Sequence, residues 1–184
     1  MTDFSKLFSS LPNLITLGRL LLAPLAVAMI ASNRYTEAFV IFIAAGASDA
    51  IDGYIAKRFD LRTELGAYLD PLADKALLVS IYGSLAIMGV LPPWIAILVV
   101  FRDLLIVAGV VVAWLLDNRV EIRPVWVSKF NTASQIAVAA YVLGAQAWGV
   151  APIPFLTFAV WLVAASTFLS GAVYIMQWLE HMRV

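Results

Sequence analysis

Long apolar stretches separated by short polar breaks run through the sequence. A helix needs about 20 residues to cross the hydrocarbon core of a bilayer, and each stretch is about that long or longer. The breaks hold charges or turn residues such as Asn33, Pro92 and Pro93, and proline is typical of the first turn of a helix. The pattern predicts an all-α integral membrane protein whose six transmembrane helices occupy residues 11–32, 36–57, 66–90, 93–116, 126–148 and 153–179.

Basic residues concentrate at one end of the predicted bundle. The loops after the second and fourth helices contain Lys57, Arg58, Arg62, Arg119 and Arg123. The loops at the opposite end contain Arg34 alone. Because cytoplasmic loops carry an excess of Lys and Arg, both termini and the two basic loops are predicted to face the cytoplasm.

The first ten residues are too short to cross a membrane by themselves. Phe4, Leu7 and Phe8 fall on one helical face, so a short helix in the membrane interface is predicted for residues 1–10. A disordered N-terminus is the alternative. The six-helix domain then comprises residues 11–184.

The composition agrees with a membrane protein and limits the chemistry. Hydrophobic residues make up 63% of the chain and charged residues 13%, whereas soluble domains have about 45–50% and about 25%. The net charge is zero, which argues against a nucleic-acid partner. Since the chain has no cysteine and a single histidine, His181, a metal site would have to use oxygen ligands.

Four aspartates interrupt the apolar pattern where the second predicted helix ends and the third begins. Asp49 and Asp52 are three residues apart, and Asp70 and Asp74 are four apart, so each pair shares one helix face. An aspartate near the bilayer centre costs about 2.5–3.5 kcal/mol, so four require compensation. Because clustered carboxylates typically bind a divalent cation, the two pairs predict a metal site at the cytoplasmic end of the bundle.

Simpler structural roles compete with this interpretation. The aspartates would otherwise form salt bridges with Lys75, Arg58 or Arg102. Small residues near the aspartates would either allow close helix packing or leave room for a flat ligand. These small residues are Gly53, Ala56 and Gly66.

Residues 49–74 form the pattern D-x2-D-G-x2-A-K-x8-G-x3-D-x3-D. This resembles the motif D-x2-D-G-x2-A-R-x8-G-x3-D-x3-D of the CDP-alcohol phosphotransferases. Every spacing agrees, and the one departure is Lys57, where the family usually has arginine. Pro12, Asn13, Thr16 and Arg19 are similar to the opening of the first helix in that family.

The resemblance implies six transmembrane helices, usually a homodimer, and a two-metal site for Mg²⁺ or Mn²⁺ at the cytoplasmic face. Asp49, Asp52 and Asp70 would be metal ligands. Asp74 would complete the site and act as general base on the acceptor hydroxyl. The positions that would bind the CDP-linked donor are Asn13, Thr16, Gly53, Ala56, Lys57 and Gly66.

The reaction implied is transfer of the phosphatidyl group from CDP-diacylglycerol to an alcohol with release of CMP, in the inner membrane of a bacterium. Arg102, Lys129 and Asn131 are expected to bind the acceptor. The basic side chains of Arg102 and Lys129 can hold its phosphate. Residues 101–103 and 128–135 look most similar to the CMP-forming cardiolipin synthases, whose acceptor is phosphatidylglycerol. The phosphatidylglycerophosphate synthases, which use glycerol-3-phosphate, are the alternative.

Two further alternatives stay open at the level of sequence. Arg102 would instead pair with Asp103 or with one of the four aspartates. A small divalent-cation transporter would also carry intramembrane carboxylates. Such a transporter more often has internal repeats and polar residues through the full membrane depth, which this sequence lacks.

Overall fold

The computed structural model describes the backbone of residues 2–58, 64–115, 126–150 and 153–181, and the side chains of residues 15–51, 73–108, 126–150 and 155–179. This part of the chain contains six α-helices and no strand. The helices are α1 Thr2–Ala31, α2 Tyr35–Arg58, α3 Glu64–Ile87, α4 Pro93–Leu115, α5 Trp126–Ala147 and α6 Ile153–His181. The predicted all-α fold and its six helices are confirmed.

The first helix differs from the prediction at its N-terminus. Helix α1 begins at Thr2 and continues to Ala31, so no break separates residues 1–10 from the predicted first span. Residues 2–10 therefore belong to α1 rather than to a separate short helix, and their position in the membrane interface stays a prediction. Residues 2–11 contain no glycine or proline, and Pro12 removes only one backbone hydrogen bond from the ladder.

Three helices end in the same hydrogen-bonded turn. After α1, the Arg34 amide donates to the Met29 carbonyl at 2.8 Å and the Asn33 amide donates to the Ile30 carbonyl at 2.9 Å. Asn33 has φ of 59°, the left-handed conformation that such a helix end requires. Gly89 after α3 and Gly149 after α5 have φ of 71° and 65° and the same bonding pattern. These turns set the short connections from α1 to α2, α3 to α4 and α5 to α6.

The two acidic helices, α2 and α3, are brought near each other by a third helix. Helix α1 packs against both α2 and α3, α5 packs against α2, α3 and α6, and α4 packs against α3 and α6. The centre is filled by side chains such as Tyr82, Leu85, Val99, Val142 and Val163. Buried polar side chains form a second group, which lies on α1, α3, α4, α5 and α6.

The outer surface of the bundle is rich in large apolar side chains, which include Leu21, Trp161 and Phe168. Among the described residues, one helical segment, Phe155–Leu179, has the length and hydropathy of a membrane span, and Ile15–Ala31 is a shorter apolar helix. Soluble monomers rarely expose large contiguous apolar patches, so this surface points to an apolar environment.

Candidate active site

The two acidic segments meet at one buried cation, Arg19 of α1. Its Nη1 atom donates to Asp49 Oδ1 of α2 at 2.6 Å and to Asp74 Oδ1 of α3 at 2.7 Å. The Arg19 side chain is 1% exposed, whereas the side chains of Asp49 and Asp74 are each 45% exposed. The guanidinium therefore approaches from the protein interior and leaves the other side of the carboxylates accessible. The first and last aspartates of the motif therefore meet at Arg19, while the predicted binding of a metal there stays a prediction.

The remaining motif positions lie close by along the same helices. Asp52 is one turn after Asp49 in α2, and Asp70 is one turn before Asp74 in α3. Thr16 is buried one turn before Arg19 in α1. The predicted site positions whose side chains lie outside the described residues are Asn13, Asp52, Gly53, Ala56, Lys57, Gly66 and Asp70.

The geometry of Asp49 and Asp74 is compatible with a divalent cation. The Oδ1 atoms of two aspartates on different helices lie 2.6 and 2.7 Å from Arg19 Nη1, and both aspartate side chains are 45% exposed. Mg²⁺ prefers such oxygen ligands and usually keeps several waters, which requires solvent access. The described side chains contain no group of three or more Asp, Glu, His or Cys residues, so within them the site consists of Asp49 and Asp74.

Two of the three cations expected to pair with the four aspartates pair elsewhere. Asp49 and Asp74 bind Arg19, whereas Lys75 and Arg102 make ion pairs with a different aspartate. The side chain of Arg58, the third expected cation, lies outside the described residues. Instead, Asp103 Oδ1 accepts from Lys75 Nζ at 2.7 Å and from Arg102 Nη1 at 2.8 Å. The alternative in which Arg102 pairs with Asp103 is therefore confirmed.

Arg102 links three helices around this second ionic cluster. Its Nη2 atom donates to Ser128 Oγ of α5 and to Ser170 Oγ of α6, both at 2.6 Å. The guanidinium carbon also lies 5.6 Å from the centre of the Tyr174 ring. Asp103 Oδ2 and Arg102 Nε are buried without a hydrogen-bond partner among the described residues.

The other acceptor candidates lie in separate surroundings. Lys129 is exposed, and its Nζ lies 5.2 Å from the centre of the Trp126 ring. Asn131 is fully buried, and its Oδ1 accepts from Ser166 Oγ at 2.9 Å and Thr167 Oγ1 at 2.8 Å. The structure thus gives Arg102, Lys129 and Asn131 different partners rather than one shared centre.

The sequence does not predict which side chains Arg19 binds. The family resemblance places Arg19 only in the opening of the first helix, yet it joins both acidic helices. The available signal was a single arginine inside a long apolar run, since an intramembrane cation normally has a partner. Asp103 gave the same signal inside the fourth apolar run.

Comparison with known proteins gives a family match over most of the chain. The family model described as CDP-alcohol phosphatidyltransferase matches residues 9–178. A chloroplastic CDP-diacylglycerol–glycerol-3-phosphate 3-phosphatidyltransferase from Oryza sativa is 33% identical over 95% of this chain. A cardiolipin synthase (CMP-forming) from Homo sapiens is 30% identical over 89% of this chain.

A bacterial relative matches along nearly its whole length. The CDP-diacylglycerol–glycerol-3-phosphate 3-phosphatidyltransferase of Bacillus subtilis is 28% identical over 90% of this chain, and the match covers 93% of that protein. The match covers 58% of the rice protein and 59% of the human protein. The chain therefore spans little more than half the length of those two relatives.

Proposed function

The chain belongs to the CDP-alcohol phosphatidyltransferase family, and from this membership we propose that it transfers the phosphatidyl group of CDP-diacylglycerol to a glycerol-type alcohol and releases CMP. The observation that carries the proposal is the meeting of Asp49 and Asp74 at one buried cation. Phosphoryl transfer depends mainly on positioning and charge neutralisation, and carboxylates at a fixed point serve both needs.

The four motif aspartates, Asp49, Asp52, Asp70 and Asp74, would hold two Mg²⁺ or Mn²⁺ ions. When bound, these ions neutralise charge on the transferred phosphate and on the leaving oxygen. Lys57 stands where the family usually has arginine. It would keep a positive charge for the donor diphosphate but would offer a point charge in place of a planar guanidinium.

The chemical step requires a base on the acceptor hydroxyl, and Asp74 is the residue proposed for it. Its carboxylate takes the hydroxyl proton while the acceptor oxygen bonds to the phosphorus of the phosphatidyl group. The bond from that phosphorus to the CMP oxygen breaks, and CMP leaves with the electron pair. Arg19 holds one oxygen of Asp74, which fixes the orientation of the carboxylate.

A membrane location suits both the surface and the substrate. The exposed apolar side chains and the segment Phe155–Leu179 support a chain embedded in a bilayer, where the diacylglycerol tails of the donor would remain. The basic loops support an active site that faces the cytoplasm, in a bacterial inner membrane. Assembly as a homodimer is part of the same proposal, by analogy with the family.

Two alcohols are the candidate acceptor substrates. The resemblance at residues 128–135 favours phosphatidylglycerol, which would make cardiolipin. The names of the rice and Bacillus subtilis relatives favour glycerol-3-phosphate, which would make phosphatidylglycerophosphate. Arg102, Lys129 and Asn131 remain the residues proposed to act on the acceptor, although their side chains have separate partners without one.

The experiment that tests the function is a CMP-release assay on the purified protein. The protein in detergent micelles receives CDP-diacylglycerol and Mg²⁺, with phosphatidylglycerol or glycerol-3-phosphate in parallel. We expect CMP and one new phospholipid with one of the two acceptors, and none after chelation of the metal. Failure with every glycerol-type alcohol, together with Mg²⁺ flux into vesicles that carry the protein, would favour the cation-transporter alternative.

A further inference from the structure

Arg19 supplies a positive charge next to the carboxylates of Asp49 and Asp74. We propose that Arg19 is a positioning residue that acts as a fixed counter-ion. It holds the carboxylates of Asp49 and Asp74 together before a divalent ion arrives, so that the site is assembled in the metal-free protein. This inference rests on the proposed function only in taking Asp49 and Asp74 as metal ligands.

The geometry distinguishes this arrangement from an ordinary salt bridge. A single nitrogen, Nη1, donates to one carboxylate on α2 and one on α3. Two neighbouring carboxylates repel each other, and a cation between them removes that repulsion. Arginine suits the position because its guanidinium stays protonated. Arg19 thus ties two helices together at the point where the predicted metal ligands meet.

The pattern of exposure leaves the site open for an incoming ion. The Arg19 side chain is buried, whereas the side chains of Asp49 and Asp74 are each 45% exposed. A divalent ion can therefore add to the arrangement from the exposed side.

Arg102 provides a matched comparison within the same chain. It is also a buried arginine that donates to an aspartate, but its partner Asp103 is 8% exposed. Arg102 therefore stabilises a closed ionic cluster that an external ion does not reach. Loss of Arg102 should destabilise the protein equally with and without metal, whereas loss of Arg19 should matter most without it.

The test compares Arg19→Gln, Arg19→Lys and Arg102→Gln with the unmodified protein in the same detergent. The thermal unfolding midpoint is measured with EDTA and again with saturating Mn²⁺, and Mn²⁺ binding is followed by electron paramagnetic resonance. We expect Arg19→Gln to lower the midpoint in EDTA, with more than half of that loss recovered by Mn²⁺. Arg102→Gln should lose the same amount in both conditions, and Arg19→Lys should lie between Arg19→Gln and the unmodified protein.

Several outcomes would overturn the inference. One is an equal loss for Arg19→Gln in EDTA and in Mn²⁺, which indicates a purely structural arginine. Another is the absence of any Mn²⁺ effect on the unmodified protein. If Arg19→Gln does not fold, the same comparison is made with Arg19→Lys, and a loss insensitive to Mn²⁺ refutes the proposal. CMP release by the unmodified protein is measured separately, so an inactive protein that shows the Mn²⁺ pattern refutes the proposed reaction and leaves this inference intact.

Discussion

Replacement of Asp103 by asparagine should destabilise the fold more than any comparable change at the surface. Asp103 Oδ1 accepts hydrogen bonds from Lys75 on α3 and Arg102 on α4. The Asp103 side chain is 8% exposed and the Arg102 side chain is 4% exposed. Asparagine retains an acceptor oxygen and the shape of the side chain but removes the negative charge. The variant would therefore bury the Arg102 cation without a counter-ion.

The expected magnitude follows from this burial. Removing one partner of a buried ion pair costs about 3–5 kcal/mol, and the retained amide oxygen places Asp103→Asn near the lower end. Lys75→Met should cost only about 1 kcal/mol, because the Lys75 side chain is 34% exposed and solvent already screens its charge. In a chain of this size 1 kcal/mol moves the unfolding midpoint by about 2–4 °C, so Asp103→Asn should lower it by about 6–12 °C.

The assay is thermal unfolding of the purified variants in one detergent, followed by tryptophan fluorescence. Glu37→Gln serves as the matched control, because Glu37 also accepts from an arginine at 2.7 Å but both side chains of that pair are exposed. Such surface pairs contribute about 0–1 kcal/mol. The reasoning fails if Asp103→Asn lowers the midpoint no more than Glu37→Gln, or if Lys75→Met has the larger effect.

Three further predictions concern the helix ends, the buried polar layer and the reaction. Gly149→Ala should cost about 1 kcal/mol, because φ of 65° strains an L-residue; Gly46→Ala, where an added Cβ meets no atom, should be neutral or stabilising by the same midpoint measurement. Asn131→Leu should cost about 1–3 kcal/mol, because the buried Thr167 hydroxyl loses its acceptor; an unchanged midpoint would show that this hydroxyl finds another. Asp74→Asn should lower CMP release by about 10²–10⁴-fold while CDP-diacylglycerol still binds, and turnover at the normal rate would refute the base assignment.

The apolar pattern was sufficient to predict the six helices, because each is a long, mainly apolar stretch bounded by proline, glycine or charge. It failed at the N-terminus of α1, where polar residues continue the helix without a breaking residue before Pro12. Hydropathy marks where a chain leaves an apolar environment, whereas a helix ends only where the backbone hydrogen bonds end. The two boundaries agree within three residues elsewhere and separate at residues 2–10.

Spacing along the chain was enough to predict that Asp49 and Asp74 would come together, but not which side chain would meet them. Spacings of three and four residues define a helix face. In the structure the two faces come near each other because α2 and α3 both pack against α1. The cation that binds both aspartates is Arg19 of α1. Which cation reaches them depends on how the three helices are rotated about their axes. The residue pattern of a single helix gives no information about that rotation. The same limit explains why Arg102 and Lys129, both expected near the acceptor, have separate partners.

The position of Arg19 also changes why a divalent ion is expected at the site. The number of aspartates alone does not settle the matter, since enough nearby cations would satisfy them as they satisfy Asp103. At Asp49 and Asp74 the Arg19 guanidinium lies on the buried side, and both aspartate side chains remain 45% exposed. The exposed side is therefore the side from which the proposed divalent ions would reach these carboxylates. That accessibility, rather than the number of aspartates, is the physical reason to expect metal binding there.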